Sequence, residues 1–430
     1  MDQVYVKTKN QRLFFEIPKT WTLLTFAEFS DVSTREDLET AVLNALKRPI
    51  SSPPLTDRVS VEDSVAIIVE DLTRASPKKE ILRILSEQLR ALSIPDEQIV
   101  IVMALGTHRA LSMDELSGAF GEDLTRRYTF INHDCHSSDL VPIGTLRTGT
   151  QVKINAQVHE ADFRIGIGSI FPHPLNGFGG GGKILFPGVA DFDSILEHHL
   201  KYAFRGGSEL GRTDGNPFYD EIKTLARLAN LDFIINSVLD HNDRLYQVVT
   251  GDPFEAHRHG IKICEDIISK EFDEKADITV ISSFPYTEGN QIMKPLASAS
   301  LITKPGGCII LVSDCTTPLA EEYLNGCEDF RAKHKDHLRE AIFALFDDNR
   351  RILPDGAPEF NMSMAQALLA QNDYRVILVT RDIEADQVRK IGFQYAPDLA
   401  SAFERADQYC TEPEVHVVPS GGVILPVIHH

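Results

Sequence analysis

Apolar runs of strand type that alternate with amphipathic helical segments restrict this chain more than any other feature of its sequence. SVAIIVE at 64–70, QIVIVMAL at 98–105 and YTFINHD at 128–134 are short and apolar, and each is followed by turn-forming residues. Between them PKKEILRILSEQLRAL at 77–92 carries its apolar residues at helical spacing, and LSMDELSGAF at 111–120 reads as the next helix. Strands that are apolar on both sides must be covered on both faces, and strands separated by helices pair in parallel. The segment is therefore an α/β unit built on a largely parallel sheet.

The rest of the chain is organised around that unit. The N-terminal MDQVYVKTKNQRLFFEIP alternates charged and apolar residues and predicts a β-hairpin, and 33–48 predicts a helix. Residues 143–170 alternate around a Gly-Thr-rich turn and predict antiparallel strands. Helices are expected at 191–204, 217–229 and 254–270, with a strand pair at 232–249. The charged stretch EFDEKAD at 271–277 is the expected linker, because a second cycle starts beyond it. DITVISS at 277–283, GGCIILVSD at 306–314, YRVILVT at 374–380 and EVHVVPSGG at 414–422 are its strands; helices are expected at 294–302, 317–326 and 336–346. A chain of 430 residues is too long for one ordinary core. The expected architecture is two α/β domains, 1–272 and 273–430, with largely parallel sheets and an active site in the cleft between them.

Composition removes several classes of function. The formal net charge of −20 argues against nucleic acid as a partner, since phosphate backbones need a basic surface. No apolar run approaches the roughly 18–20 residues of a membrane span, and the N-terminus lacks the apolar core of a signal peptide. A cytoplasmic location and no membrane partner are the expectations. The 6 cysteines include no C-x-x-C pair, so neither a structural zinc site nor a disulfide framework is expected; most should be buried thiols.

Ligands of open α/β sheets bind at the carboxyl ends of the strands, so the chemistry is sought in the loops that follow them. Those loops hold Asp71, Thr73 and Arg74 after the first strand, His108 in Gly106-Thr107-His108-Arg109 after the second, and Asn132-His133-Asp134 after the third. A run of glycines, Gly179, Gly180, Gly181 and Gly182, ends in Lys183, with His173 before it and the pair His198-His199 on a later helix. Gly177 to Lys183 satisfies the phosphate-loop spacing, but Ile184 stands where Ser or Thr would hold magnesium. The segment then runs into Phe186-Pro187-Gly188 rather than a helix whose N-terminus could meet phosphates. Histidine is the natural acid or base near neutral pH and a common nitrogen ligand of nickel, copper or zinc. Neighbours on a helix differ by about 100°, so at most one of His198 and His199 ligates a given metal. Arg74 offers a planar fork for a carboxylate, and Gln291 and Lys294 lie in a polar loop after the first strand of the second domain.

Taken together, these segments resemble the nickel-pincer-nucleotide lactate racemases, a family of nickel-dependent 2-hydroxy acid racemases and epimerases. The resemblance rests on the DxTR segment Asp71–Arg74, the GTHR segment Gly106–Arg109, the spacing of His173, Lys183 and His199, and the pair Gln291 and Lys294. It extends over nearly the whole chain. It implies a pyridinium mononucleotide with sulfur-bearing arms, bonded to Lys183 and carrying nickel, with His199 as the protein ligand and His198 as the alternative. It also implies His108 and His173 as the two acid/base histidines, and Arg74, Gln291 and Lys294 as groups that meet substrate. Asp71, Thr73 and the glycines Gly179 to Gly182 would line the cofactor pocket.

The implied reaction suits these residue types. A histidine takes the hydroxyl proton of a 2-hydroxy acid while its α-hydrogen leaves as hydride to the cofactor; return of hydride to the other face of the 2-keto acid inverts the centre. The small acid is the expected substrate, and the enzymes that make the cofactor are expected transient partners. A non-catalytic relative that binds a nucleotide or hydroxy acid is one rival reading, and a zinc-dependent hydrolase another. A nicotinamide dehydrogenase would need G-x-G-x-x-G directly after a strand, and the glycine run lacks that context. Which 2-hydroxy acid is taken depends on pocket walls that sequence spacing does not reveal.

Overall fold

The computed structural model describes residues 3–30, 36–73 and 76–428. Two compact units make up the chain, Asp31–Ile267 and a second formed by Met1–Ser30 together with Ile268–His430. The second unit takes up the chain again at Ile268, and the first thirty residues belong to it. They form the hairpin β1 (Val4–Lys7) and β2 (Arg12–Phe15), followed by β3 (Thr22–Phe26).

The unit Asp31–Ile267 is built on ten strands among the described residues. These are β4 (Val65–Glu70), β5 (Ile99–Ala104), β6 (Thr129–Asn132), β7 (Val141–Thr145), β8 (Gln151–Ile154), β9 (Phe163–Ile170), β10 (Pro172–His173), β11 (Gly177–Phe178), β12 (Phe233–Leu239) and β13 (Leu245–Gly251). The main sheet runs β13-β12-β9-β4-β5-β6, parallel throughout except for the edge pair β12 and β13. On one face, Val65, Ile67 and Val69 of β4 and Ile165 and Ile167 of β9 share a core with Ile81, Leu82, Leu85 and Leu89 of the helix Lys78–Ala91. Each such fully buried side chain contributes about 1.5–3 kcal/mol. The helix Met113–Phe120 starts with a capping box between Ser112 and Glu115.

One expectation for this unit fails. Residues 143–170 are not all antiparallel, since β9 lies fully buried between β4 and β12 and runs parallel to both. Its period-2 pattern arises from Gly166 and Gly168. A Cβ on Gly166 would lie 2.6 Å from Ile184, and one on Gly168 would lie 3.3 Å from the Asn236 amide, so the alternation marks close packing rather than a solvated face. The chain passes from β4 to β5 and β6 on one side, then returns to β9 on the other. Connectivity therefore reverses between β4 and β9.

In the other unit follow β14 (Ser269–Phe272), β15 (Ala276–Ser282), β16 (Thr303–Val312), β17 (Arg375–Val379), β18 (Gln394–Ala396), β19 (Glu414–Val418) and β20 (Leu425–Ile428). Its main sheet is β18-β17-β16-β15-β19-β3, parallel throughout. This sheet explains where the N-terminus goes. Thr22 to Phe26 pair beside Glu414 to Val417, and Val4 and Val6 pack with Ile278, Ile310 and Val415. The stretch 271–277 is not a linker. Glu271 and Phe272 close β14, which pairs with β20, and Ala276 and Asp277 begin β15. The charge of Asp277 is used locally, its carboxylate accepting from Lys304 Nζ at 3.0 Å and from the Glu414 backbone at 3.0 Å.

No helix among the described residues is long and apolar enough to cross a membrane. All 6 cysteines are free thiols, 5 of them buried and Cys410 partly exposed.

Candidate active site

The crevice where a parallel sheet reverses its winding is the natural ligand site of such a unit. Between β4 and β9 it is bridged by Glu70, whose carboxylate accepts from Ser169 N at 2.9 Å, Ser169 Oγ at 2.8 Å and the Ser76 hydroxyl. Glu70 thus ties the ends of the two central strands together, and the loops that carry the candidate residues start from this fixed point.

The first of those loops holds Asp71 directly after β4. One carboxylate oxygen takes the backbone N–H of Thr73 at 3.0 Å, and the other is hydrogen-bonded to Nδ1 of His108. A carboxylate only accepts, so Nδ1 carries the proton and Nε2 of His108 keeps its lone pair. The His108 side chain is 32% accessible and Asp71 14%, which leaves the imidazole open to a ligand while its partner is largely covered. The loop is shaped by Gly106, whose φ of +56° suits glycine and whose N–H donates to Gly188 O at 2.8 Å. Arg109 points away to Glu115 on the following helix. Arg74, assigned to substrate on sequence grounds, lies outside the described residues.

His173 sits in the β10–β11 hairpin just beyond β9 and pairs with Gly177. Its Nδ1 accepts two backbone N–H groups, Leu175 at 3.2 Å and Asn176 at 3.1 Å. The intervening Pro174 has no N–H to offer. The hairpin is anchored by Asn216, which donates to Leu175 O at 2.9 Å and Arg212 O at 2.8 Å.

The glycine run has a purpose the sequence did not disclose. The space a Cβ would take is filled by protein: the Phe171 ring 2.7 Å from Gly179, Asn236 Oδ1 2.8 Å from Gly180, the His257 ring 2.5 Å from Gly181 and Ala226 2.8 Å from Gly182. Gly180 and Gly181 also have positive φ. Asn236 accepts from Gly181 N at 2.9 Å, and His257 is bonded to Gly179 O at 2.8 Å. The run is thus needed to seat a loop against β12 and the helix Glu255–Ile268, so that Lys183 leaves the short 3-10 turn Gly181–Ile184 at a fixed place.

Around Lys183 stand three histidines that feel its charge. Burial pushes His199 down to about 4; its bond to Ile195 O opposes this and the Lys183 ammonium adds to it. His257 is likewise brought to about 4, mainly by burial, and His198 is driven well down by burial and its neighbours. All three are neutral imidazoles near pH 7. On the helix Phe192–Tyr202 the two neighbours differ in direction. His198 is wholly buried against Phe186 and Phe218, and its Nε2 donates to Phe218 O at 3.0 Å. Its Nδ1 has no hydrogen-bond partner among the described residues. His199 donates Nδ1–H to Ile195 O at 2.7 Å, so Nε2 carries the lone pair. A neutral histidine fixed at one nitrogen by a carbonyl is the arrangement of a protein metal ligand. Among the described residues no group of three or more His, Cys, Asp or Glu could hold a metal ion. A metal bound through His199 would need its other donors from outside those side chains, as a nucleotide with carbon and sulfur donors provides. The residues present fit such a group.

Gln291 and Lys294 belong to the other unit, in the loop after β15 at the corresponding reversal between β15 and β19. Gln291 Oε1 is buried with no partner among the described residues, and Lys294 Nζ lies 4.5 Å from the centre of the Tyr286 ring. The post-strand histidine His133 is structural, being 2% exposed and bonded to Ala190 O at 2.8 Å. Sequence reasoning missed Glu70 and Asn236 as organisers, though an acid at the last position of an apolar strand and a lone Asn inside another were visible signals. The structure bonds Asp71 to His108. His257 gave no signal.

Known proteins extend these observations. Residues 9–211 match the lactate racemase N-terminal domain, and 273–426 match the lactate racemase C-terminal domain. The chain is 28% identical over 393 residues to a lactate racemase of Thermoanaerobacterium thermosaccharolyticum, covering 90% of each. It is 29% identical over 395 residues to a lactate racemase of Lactiplantibacillus plantarum, covering 89% of this chain and 90% of the relative. The apoprotein structure of the T. thermosaccharolyticum lactate racemase superposes with a TM-score of 0.88 at 25% identity, covering 99% of this chain and 100% of that one. A Thermotoga maritima structure shares the fold with a TM-score of 0.65 at 19% identity, covering 91% and 98%.

Proposed function

The chain belongs to the lactate racemase family and is an isomerase of the racemase type, and from that premise we propose that it interconverts the configurations of a small 2-hydroxy acid through a 2-keto acid, using a nickel-pincer nucleotide attached to Lys183. The observation that carries the reading is the Asp71–His108 pair. A partly accessible histidine held by a carboxylate is what removal of a hydroxyl proton requires, and it stands at the carboxyl end of the sheet where its winding reverses.

The cofactor, when bound, would accept and return the hydride at C2, which side chains alone cannot do. The protein's share is orientation and proton control. His108 Nε2 takes the hydroxyl proton, and the resulting imidazolium is offset by Asp71. His173, on the neighbouring hairpin, is the second histidine assigned to the substrate oxygen. Arg74, Gln291 and Lys294 are assigned to the substrate's carboxylate and keto groups, where Arg74 and Lys294 would neutralise charge. Lys183 is the attachment point; His199 Nε2 is the protein's donor to nickel. Packing of Gly179 to Gly182 on Asn236 and His257 keeps Lys183 in register with His199.

Intact mass and metal analysis of protein co-produced with the cofactor-making enzymes test this reading. The expected result is the mass of one mononucleotide on Lys183 with bound nickel, lost in Lys183→Ala, and racemisation of a 2-hydroxy acid. An unmodified chain despite active biosynthesis would refute it.

A further inference from the structure

We propose that Asn216 is a positioning residue that acts through His173. The first turn of the helix Pro217–Leu228 is the common base on which His173, His199 and the Lys183 loop take their places, and Asn216 tethers the His173 hairpin to it. The roles of those three residues rest on the racemase reading; the contacts do not.

Asn216, Phe218 and Tyr219 each reach a different part of the site. Asn216 is fully buried. Its Oδ1 caps the helix by accepting from Tyr219 N at 3.2 Å, and its Nδ2 donates to Leu175 O at 2.9 Å and Arg212 O at 2.8 Å. Leu175 is also the residue whose N–H meets Nδ1 of His173 at 3.2 Å, so the amide grips a residue that steadies the ring. Phe218 serves the helix Phe192–Tyr202. Its carbonyl takes Nε2 of His198 at 3.0 Å, and its ring centre lies 4.1 Å from that of His198 and 5.0 Å from that of His199. Tyr219 serves the glycine run. Burial pushes its hydroxyl up to about 12, so it keeps its proton and donates to Nδ1 of His257 at 3.4 Å, while Nε2–H of His257 goes to Gly179 O at 2.8 Å.

The link through Asn216 differs from the other two. It runs through a side-chain amide at the helix boundary to a hairpin whose strands are 2 residues each. A Cβ on Gly177 of that hairpin would lie 2.3 Å from Arg212 O, so hairpin and turn are in close contact, and one amide bonds both. Without it two carbonyl oxygens lose a buried donor and the hairpin must shift to satisfy them. Misplacing an acid/base group by about 1 Å costs about 10²-fold in rate.

Two variants separate capping from tethering. Asn216→Ser keeps a capping oxygen but has no amide to reach Leu175 O. Asn216→Asp keeps shape and cap but sets a carboxylate oxygen against two carbonyl oxygens. The first measurement is the histidine ¹H–¹⁵N spectrum of apoprotein at pH 8.5, assigned with His173→Gln, His198→Gln and His199→Gln. Both variants should displace the His173 signals, Asn216→Asp the further, and leave those of His198 and His199 in place. The second is turnover and nickel retention of cofactor-loaded Asn216→Ser. Its kcat and kcat/KM should fall together by about 10²-fold, with nickel held as in the parent. A merely structural Asn216 would lower the unfolding midpoint and leave the His173 signals and kcat at parent values. Unmoved His173 signals, equal displacement of all three rings, or a parent-level kcat would overturn the proposal. If the signals move as expected but the loaded parent turns over no 2-hydroxy acid, the racemase reading fails while the tether stands.

Discussion

His257 gives the sharpest quantitative expectation for the fold around Lys183. It is 2% exposed, bonded to Gly179 O, and in contact range of the position a Cβ would take on Gly181. Burial lowers it from 6.5 to about 4. In the unfolded chain it takes up a proton as pH falls below about 6.5, whereas the folded protein refuses that proton until about 4. Stability contributed by the neutral ring is therefore complete above about 6.5 and is lost as pH falls toward 4. At 1.36 kcal/mol per pH unit the full loss is about 3 kcal/mol, and about 2.5 kcal/mol has gone by pH 4.5. Replacement by glutamine, which does not titrate but can donate to Gly179 O, should cost about 1–3 kcal/mol at pH 7.5 through lost packing. Urea unfolding of both proteins from pH 7.5 to 4.5 should show that gap shrinking by about 2.5 kcal/mol. A gap that stays constant over this range would refute the assignment of acid sensitivity to His257.

Other perturbations follow from the same contacts. Gly181→Ala combines a positive φ with a Cβ 2.5 Å from the His257 ring and should cost about 2–4 kcal/mol in urea unfolding, whereas Gly118→Ala, with nothing within 4 Å on an exposed helical turn, should gain about 0.5–1 kcal/mol. Glu70→Gln leaves three donors competing for a single acceptor oxygen and should lower stability by about 2–3 kcal/mol; an unchanged midpoint would mean that Glu70 does not bind the two strands. His199→Ala should release nickel from cofactor-loaded protein at least tenfold faster in a chelator challenge, and unchanged retention would move the ligand to His198.

How much of this could be read in advance differs by element. The apolar runs at 64–70, 98–105 and 277–283 give β4, β5 and β15 within a residue or two, because a strand buried on both faces has no other composition open to it. The sequence places Asp71 and His108 in loops that follow strands, and the structure shows both there, since post-strand loops are where an open sheet meets its ligand. β9 was misread, because its glycines copy the alternation of a half-exposed strand. The stretch at 271–277 was misread because its charges imitate a linker, although Asp277 is taken up by Lys304 and the Glu414 backbone.

Local sequence therefore determined which segments are strands and which family the chain resembles, for these depend on periodicity and on residue type at fixed spacing. Tertiary structure alone decided that the first thirty residues complete the sheet of the C-terminal unit, because β3 finds its hydrogen-bond partner almost 400 residues away at Glu414–Val418. It also decided which nitrogen of each histidine bears the proton. That choice depends on whether a carboxylate or a backbone N–H meets the ring, and no spacing in the sequence records it.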